Sequence, residues 1–123
     1  DSSVVLPYGV RVWGSPWQPK FCDWAFGLDR GEPCRRAWEA IPEDTAVLVT
    51  HGPPAERGDL CMSGLRAGCV DLLREVQKRV RPAVHVFGHI HEGYGCSSDG
   101  TTAFVNASSC NVRYCCINPP VVF

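Results

Sequence analysis

Residues 84–95 read V-H-V-F-G-H-I-H-E-G-Y-G, an apolar run that stops at Gly88 and then delivers His89 and His91. In extended backbone, positions two apart leave on the same face, with α-carbons about 6.5–7 Å apart. Such a pair can serve two neighbouring metal ions, which dinuclear hydrolytic sites hold roughly 3.5–4 Å apart. The same pair also reads as two polar groups satisfied at a strand end.

The sequence upstream places this stretch in a fold. Before it, Cys69, Leu72, Leu73, Val76 and Val80 recur at the helical period, Glu75 and Arg79 can pair on the outer face, and Pro82 ends the helix. Earlier still, Ala46 to Thr50 is a β-rich apolar run that ends at His51-Gly52-Pro53-Pro54, where glycine and prolines forbid continuation. Ala83 to Phe87 is the second strand, so the order is strand, helix, strand. Such units close right-handed, which makes the strands parallel and sets their C-terminal ends at one edge. His51 follows the first strand and His89 with His91 the second. Open α/β sheets bind ligands just beyond those strand ends, so the three histidines are the candidate metal ligands. His85 lies inside the apolar run, which gives it a core role.

The flanking chain adds short elements. Val4 to Leu6 and Val10 to Trp13 flank Pro7-Tyr8-Gly9 and read as a β-hairpin. Gly14 to Gly31 reads as a long loop whose Trp17, Phe21, Trp24 and Phe26 either serve a function or cap the core. Arg35 to Ile41 is predicted as a short helix opened by Pro33 and stopped by Pro42. Arg74, Lys78, Arg79 and Arg81 complement the dipole at the end of the second helix as a solvated face. After Gly95 the pattern predicts β-hairpins: a turn at Ser97-Ser98-Asp99-Gly100, a strand over Thr102 to Asn106 and another over Asn111 to Cys115. The tail ends in the apolar run Val121-Val122-Phe123.

With 123 residues and 45% hydrophobic content, the chain fits one domain with an ordinary core. A net charge of -1 leaves no overall basic field for nucleic acid or an anionic membrane surface, and no apolar run is long enough to span a bilayer. A first residue of Asp1 rather than Met suggests a fragment or a processed chain. The eight cysteines contain no C-x-x-C pair, which argues against a zinc knuckle or a thioredoxin-like site; most are read as small apolar residues. Cys115 and Cys116 are adjacent and would point to opposite faces of a strand. Asn106-Ala107-Ser108 fits the glycosylation pattern, a triplet common by chance.

Taken together, G-S-P-W at Gly14 to Trp17, T-H-G-P-P at Thr50 to Pro54, V-Q-K-R-V-R-P at Val76 to Pro82, G-H-I-H-E-G-Y-G at Gly88 to Gly95 and N-A-S at Asn106 to Ser108 carry a resemblance. The chain resembles the C-terminal half of calcineurin-like metallophosphoesterases, and most closely the metallophosphoesterase-domain-containing proteins related to class III cyclic nucleotide phosphodiesterases. The resemblance implies an α/β fold in which residues 1–123 form part of a two-sheet β-sandwich flanked by helices. It implies two divalent metal ions, manganese, iron or zinc, with His51 and His89 on the second and His91 on the first. A hydroxide between such ions attacks phosphorus in line. The implied activity is hydrolysis of small-molecule phosphodiesters or phosphomonoesters, with cyclic nucleotides the substrates of the nearest branch; the expected location is the cytoplasm.

The departure from that family lies in what is missing. No D-x-H and no G-N-H occurs, no bridging aspartate is assigned, and none of His51, His85, His89 and His91 has an Asp two residues before it. Three imidazoles without a bridging carboxylate should hold metal weakly and leave the repulsion between two ions unscreened. The chain alone is therefore expected to have little or no hydrolytic activity, and no catalytic residue is assigned. Two other readings stand beside the enzyme: a truncated, non-catalytic paralogue acting as a binding module, and a secreted cysteine scaffold.

Overall fold

The β-branched run Thr45–Thr50 and the run Val84–Phe87 are the parallel strands that the pattern predicts, joined through the helix between them. The computed structural model describes residues 1–122; Phe123, the end of the apolar tail, lies outside the described residues. In chain order the strands are β1 (Ser2–Val5), β2 (Arg11–Ser15), β3 (Gln18–Pro19), β4 (Gly27–Leu28), β5 (Thr45–Thr50), β6 (Val84–Phe87), β7 (Gly95–Ser98) and β8 (Ala103–Asn106). Helix α1 (Glu32–Glu39) precedes β5, and α2 (Val70–Glu75) follows it and continues as a wider π turn over Val76–Val80.

Six strands form one sheet in the order β1-β2-β5-β6-β8-β7, parallel in its centre and closed by the antiparallel hairpins β1/β2 and β7/β8 at its edges. β3 and β4 make a separate two-stranded parallel ribbon within the loop that the sequence left unstructured. The α/β class and the terminal hairpins are as expected, and the helices pack on one face of the sheet. Among the described residues, no helix is long and apolar enough to cross a membrane.

Strand alternation sends Trp13, Leu48, Phe87 and Phe104 to the face under the helices, where they meet Cys34, Trp38, Ile41, Leu72, Val76 and Val80. Trp38 is wholly buried and its indole Nε1 donates to Cys69 Sγ at 3.2 Å, so its one polar group is satisfied in the core. On the opposite face Val47, Val84 and Val86 are only half-buried and Val49 is exposed.

Several local expectations are corrected. Helix α1 begins at Glu32, ahead of Pro33, because proline lacks only an amide hydrogen that the first turn does not use. Ile41 lies beyond the helix, buried in the core. Glu75 and Arg79 do pair, at 2.5 Å, but inward rather than on an outer face: Arg79 also donates to the carbonyls of Ile41 at 2.8 Å and Trp38 at 3.1 Å, tying α2 to the end of α1. Arg81 ends the π turn in the left-handed region (φ 48°), immediately before Pro82, where an α conformation is disfavoured.

The strand predicted over Asn111 to Cys115 is absent. Asn111 Oδ1 accepts from the amides of Arg113 and Cys115, and Tyr114 has φ 60°, so the side chain builds a turn in place of a ladder. Of the cysteines, Cys34 and Cys69 are buried, Cys61 and Cys110 are half-buried and the other four exposed. All eight are free thiols. Burial and the neighbouring Cys69 thiol push Cys34 up to about 12, which makes it an inert core group.

Candidate functional site

The C-terminal ends of β5 and β6 lie side by side, and the turns that leave them carry the three candidate ligands. Gly88 N–H donates to the His51 carbonyl at 3.0 Å, so the two turns are tied directly. The rings of His51 and His89 face each other, with His51 Nε2 3.1 Å from His89 Nδ1 and centroids 4.8 Å apart. A cleft of about 520 Å³ opens over them, lined among others by Phe21, Trp24, His51, His89, His91 and Tyr114.

The backbone between His89 and His91 is not extended. His89 has φ 69°, and Ile90 N–H donates to Gly88 O at 2.8 Å, which closes a tight turn centred on His89. A non-glycine residue held in the left-handed region stores strain of order 1–3 kcal/mol, and such strain concentrates at functional positions. The extended, same-face geometry expected from the sequence is therefore replaced by a tight turn. His89 is turned back toward His51, whereas His91 starts the 3₁₀ turn His91–Gly93.

His91 is oriented from outside the strand–helix–strand unit. Its Nδ1 lies 2.8 Å from the Asn111 carbonyl oxygen, which can only accept, so Nδ1 carries a proton and the neutral ring has its lone pair on Nε2. Tyr114 stands edge-on to the same ring at 5.3 Å. An imidazole whose second nitrogen is fixed by a backbone carbonyl is in the tautomer that metal ligation requires. The short turn over 110–116, which the sequence assigned to a strand, is thus the clasp for His91.

Behind His51 a buried relay sets the turn. Thr50 Oγ1 donates its single hydrogen to Gly52 O at 2.7 Å, so at its 2.9 Å contact with His85 Nε2 it must accept. His85 is wholly buried, its Nδ1 has no partner, and burial pushes it down to about 3. It is the core histidine that the sequence indicated, with an added role in positioning the His51 turn.

Asn106 plays the corresponding part on the other side. It is buried, its Nδ2 donates to Gly58 O at 3.1 Å and Ile90 O at 2.8 Å, and its Oδ1 accepts from Ser108 N–H at 3.1 Å. With both amide hydrogens engaged and no exposure, it cannot carry a glycan, which disposes of the glycosylation reading. The sequence does not mark Asn106 and Asn111 as scaffold residues; an asparagine two residues before a serine or after a β run is a weak turn signal, and only the fold shows which backbone groups it reaches.

The aromatics of the 14–31 loop divide between the two roles. Trp17 packs against the core and edge-on to Phe26, whereas Phe21 and Trp24 stand edge-on to His89 at 4.8 and 6.2 Å. Burial, then the charges of His51 and His91, bring His89 down to about 4, and burial lowers His51 as well. Both are neutral near pH 7, the state in which imidazole ligates metal.

The donor set fits part of a metal centre. Two neutral imidazole nitrogens 3.1 Å apart are close enough to share one ion at ordinary bond lengths of about 2.0–2.1 Å. His89 Nε2 is buried without a hydrogen-bond partner among the described residues. Yet no cluster of three or more His, Cys, Asp or Glu side chains able to hold an ion exists among the described residues. Glu92, the one carboxylate lining the cleft, is held by the Met62 amide at 2.7 Å.

No family model matches the chain. Individual relatives do. Over 123 residues, 99% of the chain, it is 53% identical to metallophosphoesterase domain-containing protein 1 of Homo sapiens and of Mus musculus. It is 49% identical over its whole length to a UPF0046 protein of Caenorhabditis elegans. The chain is thus similar to proteins named metallophosphoesterase domain-containing and UPF0046, and it matches the C-terminal part of those relatives. It spans 37% of the length of the two mammalian relatives and 31% of the worm protein.

Proposed function

We propose that this chain supplies the imidazole-bearing part of a metal-dependent phosphoesterase that hydrolyses small-molecule phosphodiesters, cyclic nucleotides among them. The facing nitrogens of His51 and His89, 3.1 Å apart at adjacent strand ends, support this reading most directly. In it His51 and His89 hold one divalent ion, manganese, iron or zinc, and His91 presents Nε2 to a second. Bound ions of this kind lower the pKa of a coordinated water and offset charge on phosphate oxygens. The chain's own residues orient the ligands: Thr50 and His85 set the His51 turn, the strained turn aims His89, and Asn111 fixes the His91 tautomer. Phe21, Trp24 and Tyr114 wall the cleft and limit water around it. Free thiols throughout are consistent with a cytoplasmic setting, where disulfides are rare.

The test compares two proteins. The 123-residue chain by itself is expected to show little or no metal-dependent hydrolysis of a chromogenic phosphodiester, because the carboxylate bridge is lacking. A longer protein containing it should be active and lose at least about 100-fold on His51→Ala or His91→Ala, the upper range seen for loss of an outer-sphere partner alone. Full activity in those variants would refute the assignment. A non-catalytic binding module is the second reading, favoured by the absence of a complete ligand cluster among the described residues. It predicts no turnover by the longer protein either, with retained nucleotide binding in equilibrium dialysis.

A further inference from the structure

Cys110 and Cys116 face each other across the base of the turn that clasps His91. They form an isolated antiparallel bridge, and Asn111 N–H donates to Cys115 O at 2.9 Å just inside it. That bond makes 110/116 the non-hydrogen-bonded pair of the ladder, in which α-carbons lie about 4.5 Å apart. Disulfides span α-carbon separations of about 4.4–6.8 Å, so the backbone is already in place for one. The two sulfurs are 3.2 Å apart. Asn118 ties the same base: its Nδ2 donates to Ser108 O at 2.8 Å and Cys110 O at 3.3 Å, and its N–H to Ser109 O at 3.1 Å. Cys110 is half-buried and Cys116 exposed, so reagents reach the pair. Cys115, the competing neighbour, turns its sulfur toward Arg113 O at 3.7 Å.

We propose that Cys110 and Cys116 are a dithiol modification site, oxidised by small-molecule disulfides of the glutathione class to an intrachain disulfide that staples the His91 clasp. The reaction is two thiol–disulfide exchanges. The thiolate of Cys116, the exposed member, attacks one sulfur of the small disulfide, forms a mixed disulfide and releases one small thiol. The thiolate of Cys110 then attacks Cys116 Sγ, forms the protein disulfide and releases the second small thiol. The two cysteines lose two electrons and two protons, and the small disulfide gains both. The loop closed in this way carries the Asn111 carbonyl that accepts from His91 Nδ1 and the Tyr114 ring that stands against His91. Oxidation therefore restricts the elements that orient His91. The dithiol chemistry holds whether or not the chain takes part in phosphoester hydrolysis.

The experiment exposes the native full chain to glutathione disulfide, blocks remaining thiols by alkylation and maps the tryptic peptides. Trypsin separates the pair, since cleavage falls after Arg79 and Arg113, with Cys96 on the same peptide as Cys110 and Cys115 on that of Cys116. The expected result is loss of two alkylatable thiols per chain and one linked peptide pair. The link should persist in Cys96→Ser and Cys115→Ser, vanish in Cys116→Ser, and reverse with dithiothreitol. Amide hydrogen exchange over residues 110–116 should slow in the oxidised chain. Only mixed glutathione adducts in the unaltered chain, a link that survives Cys116→Ser, or exchange unchanged by oxidation would overturn the proposal.

Discussion

Protonation of His85 should destabilise this protein in mild acid, and the size of the effect can be worked from its burial. The ring sits wholly buried beneath the His51 turn with Nδ1 unpartnered, and burial pushes it down to about 3 from an ordinary value near 6.5. A base whose folded pKa is depressed binds fewer protons folded than unfolded. Its contribution to stability is complete above the unfolded value and declines as pH falls from about 6.5 toward about 3. At about 1.4 kcal/mol per pH unit, His85 alone removes about 2 kcal/mol between pH 7 and pH 5 and about 3 kcal/mol by pH 4. His89 and His51 are shifted in the same direction and add to the loss. Urea unfolding at about pH 7 and pH 5, for the unaltered chain and His85→Phe, isolates the His85 share as the difference in pH dependence. Thr50 still donates to Gly52 in that variant, so the turn keeps its internal bond. A His85 ring signal that titrates near 6.5 in the folded protein by NMR, or an equally steep pH dependence in His85→Phe, would refute the reasoning.

Two further substitutions test how the site is braced. Gly93→Ala would put a Cβ 2.0 Å from the Gly58 carbonyl oxygen and 2.6 Å from its carbon, backbone atoms that cannot step aside. It should lower stability by about 1–3 kcal/mol, read by thermal unfolding, and loosen the 56–60 segment in hydrogen exchange. Arg79→Ala removes the donor to the carbonyls of Ile41 and Trp38 at the end of α1 and leaves Glu75, itself largely buried, unpaired. A loss of about 1–3 kcal/mol in chemical denaturation is expected, with little recovery in Arg79→Lys because an ammonium cannot span the same acceptors.

The strand–helix–strand unit was legible because its signals are local. Val47, Leu48 and Val49, the 3.6-residue spacing of Leu72, Val76 and Val80, and the stop at Pro82 are all read within a dozen residues. The three histidines followed from that topology, since parallel strands must end at one edge. The Asn111 turn was not legible. A side chain that takes amides two and four residues ahead competes with the ladder that Val112 and Tyr114 favour, and sequence gives no measure of which wins. The inward turn of Arg79 was hidden for a similar reason, since its acceptors are more than thirty residues away.

By itself, then, the sequence determined the α/β class, the parallel pairing around Thr45–Thr50 and Val84–Phe87, and the identity of His51, His89 and His91 as the imidazoles at one sheet edge. Only the tertiary structure decided how those imidazoles are held: the left-handed turn at His89, the carbonyl of Asn111 on His91, and the His85 relay behind His51. Periodicity records which face a side chain takes along its own element. The tautomer and aim of a ring are set by single hydrogen bonds from segments distant in the chain, and these exist only once the sheet has brought those segments together.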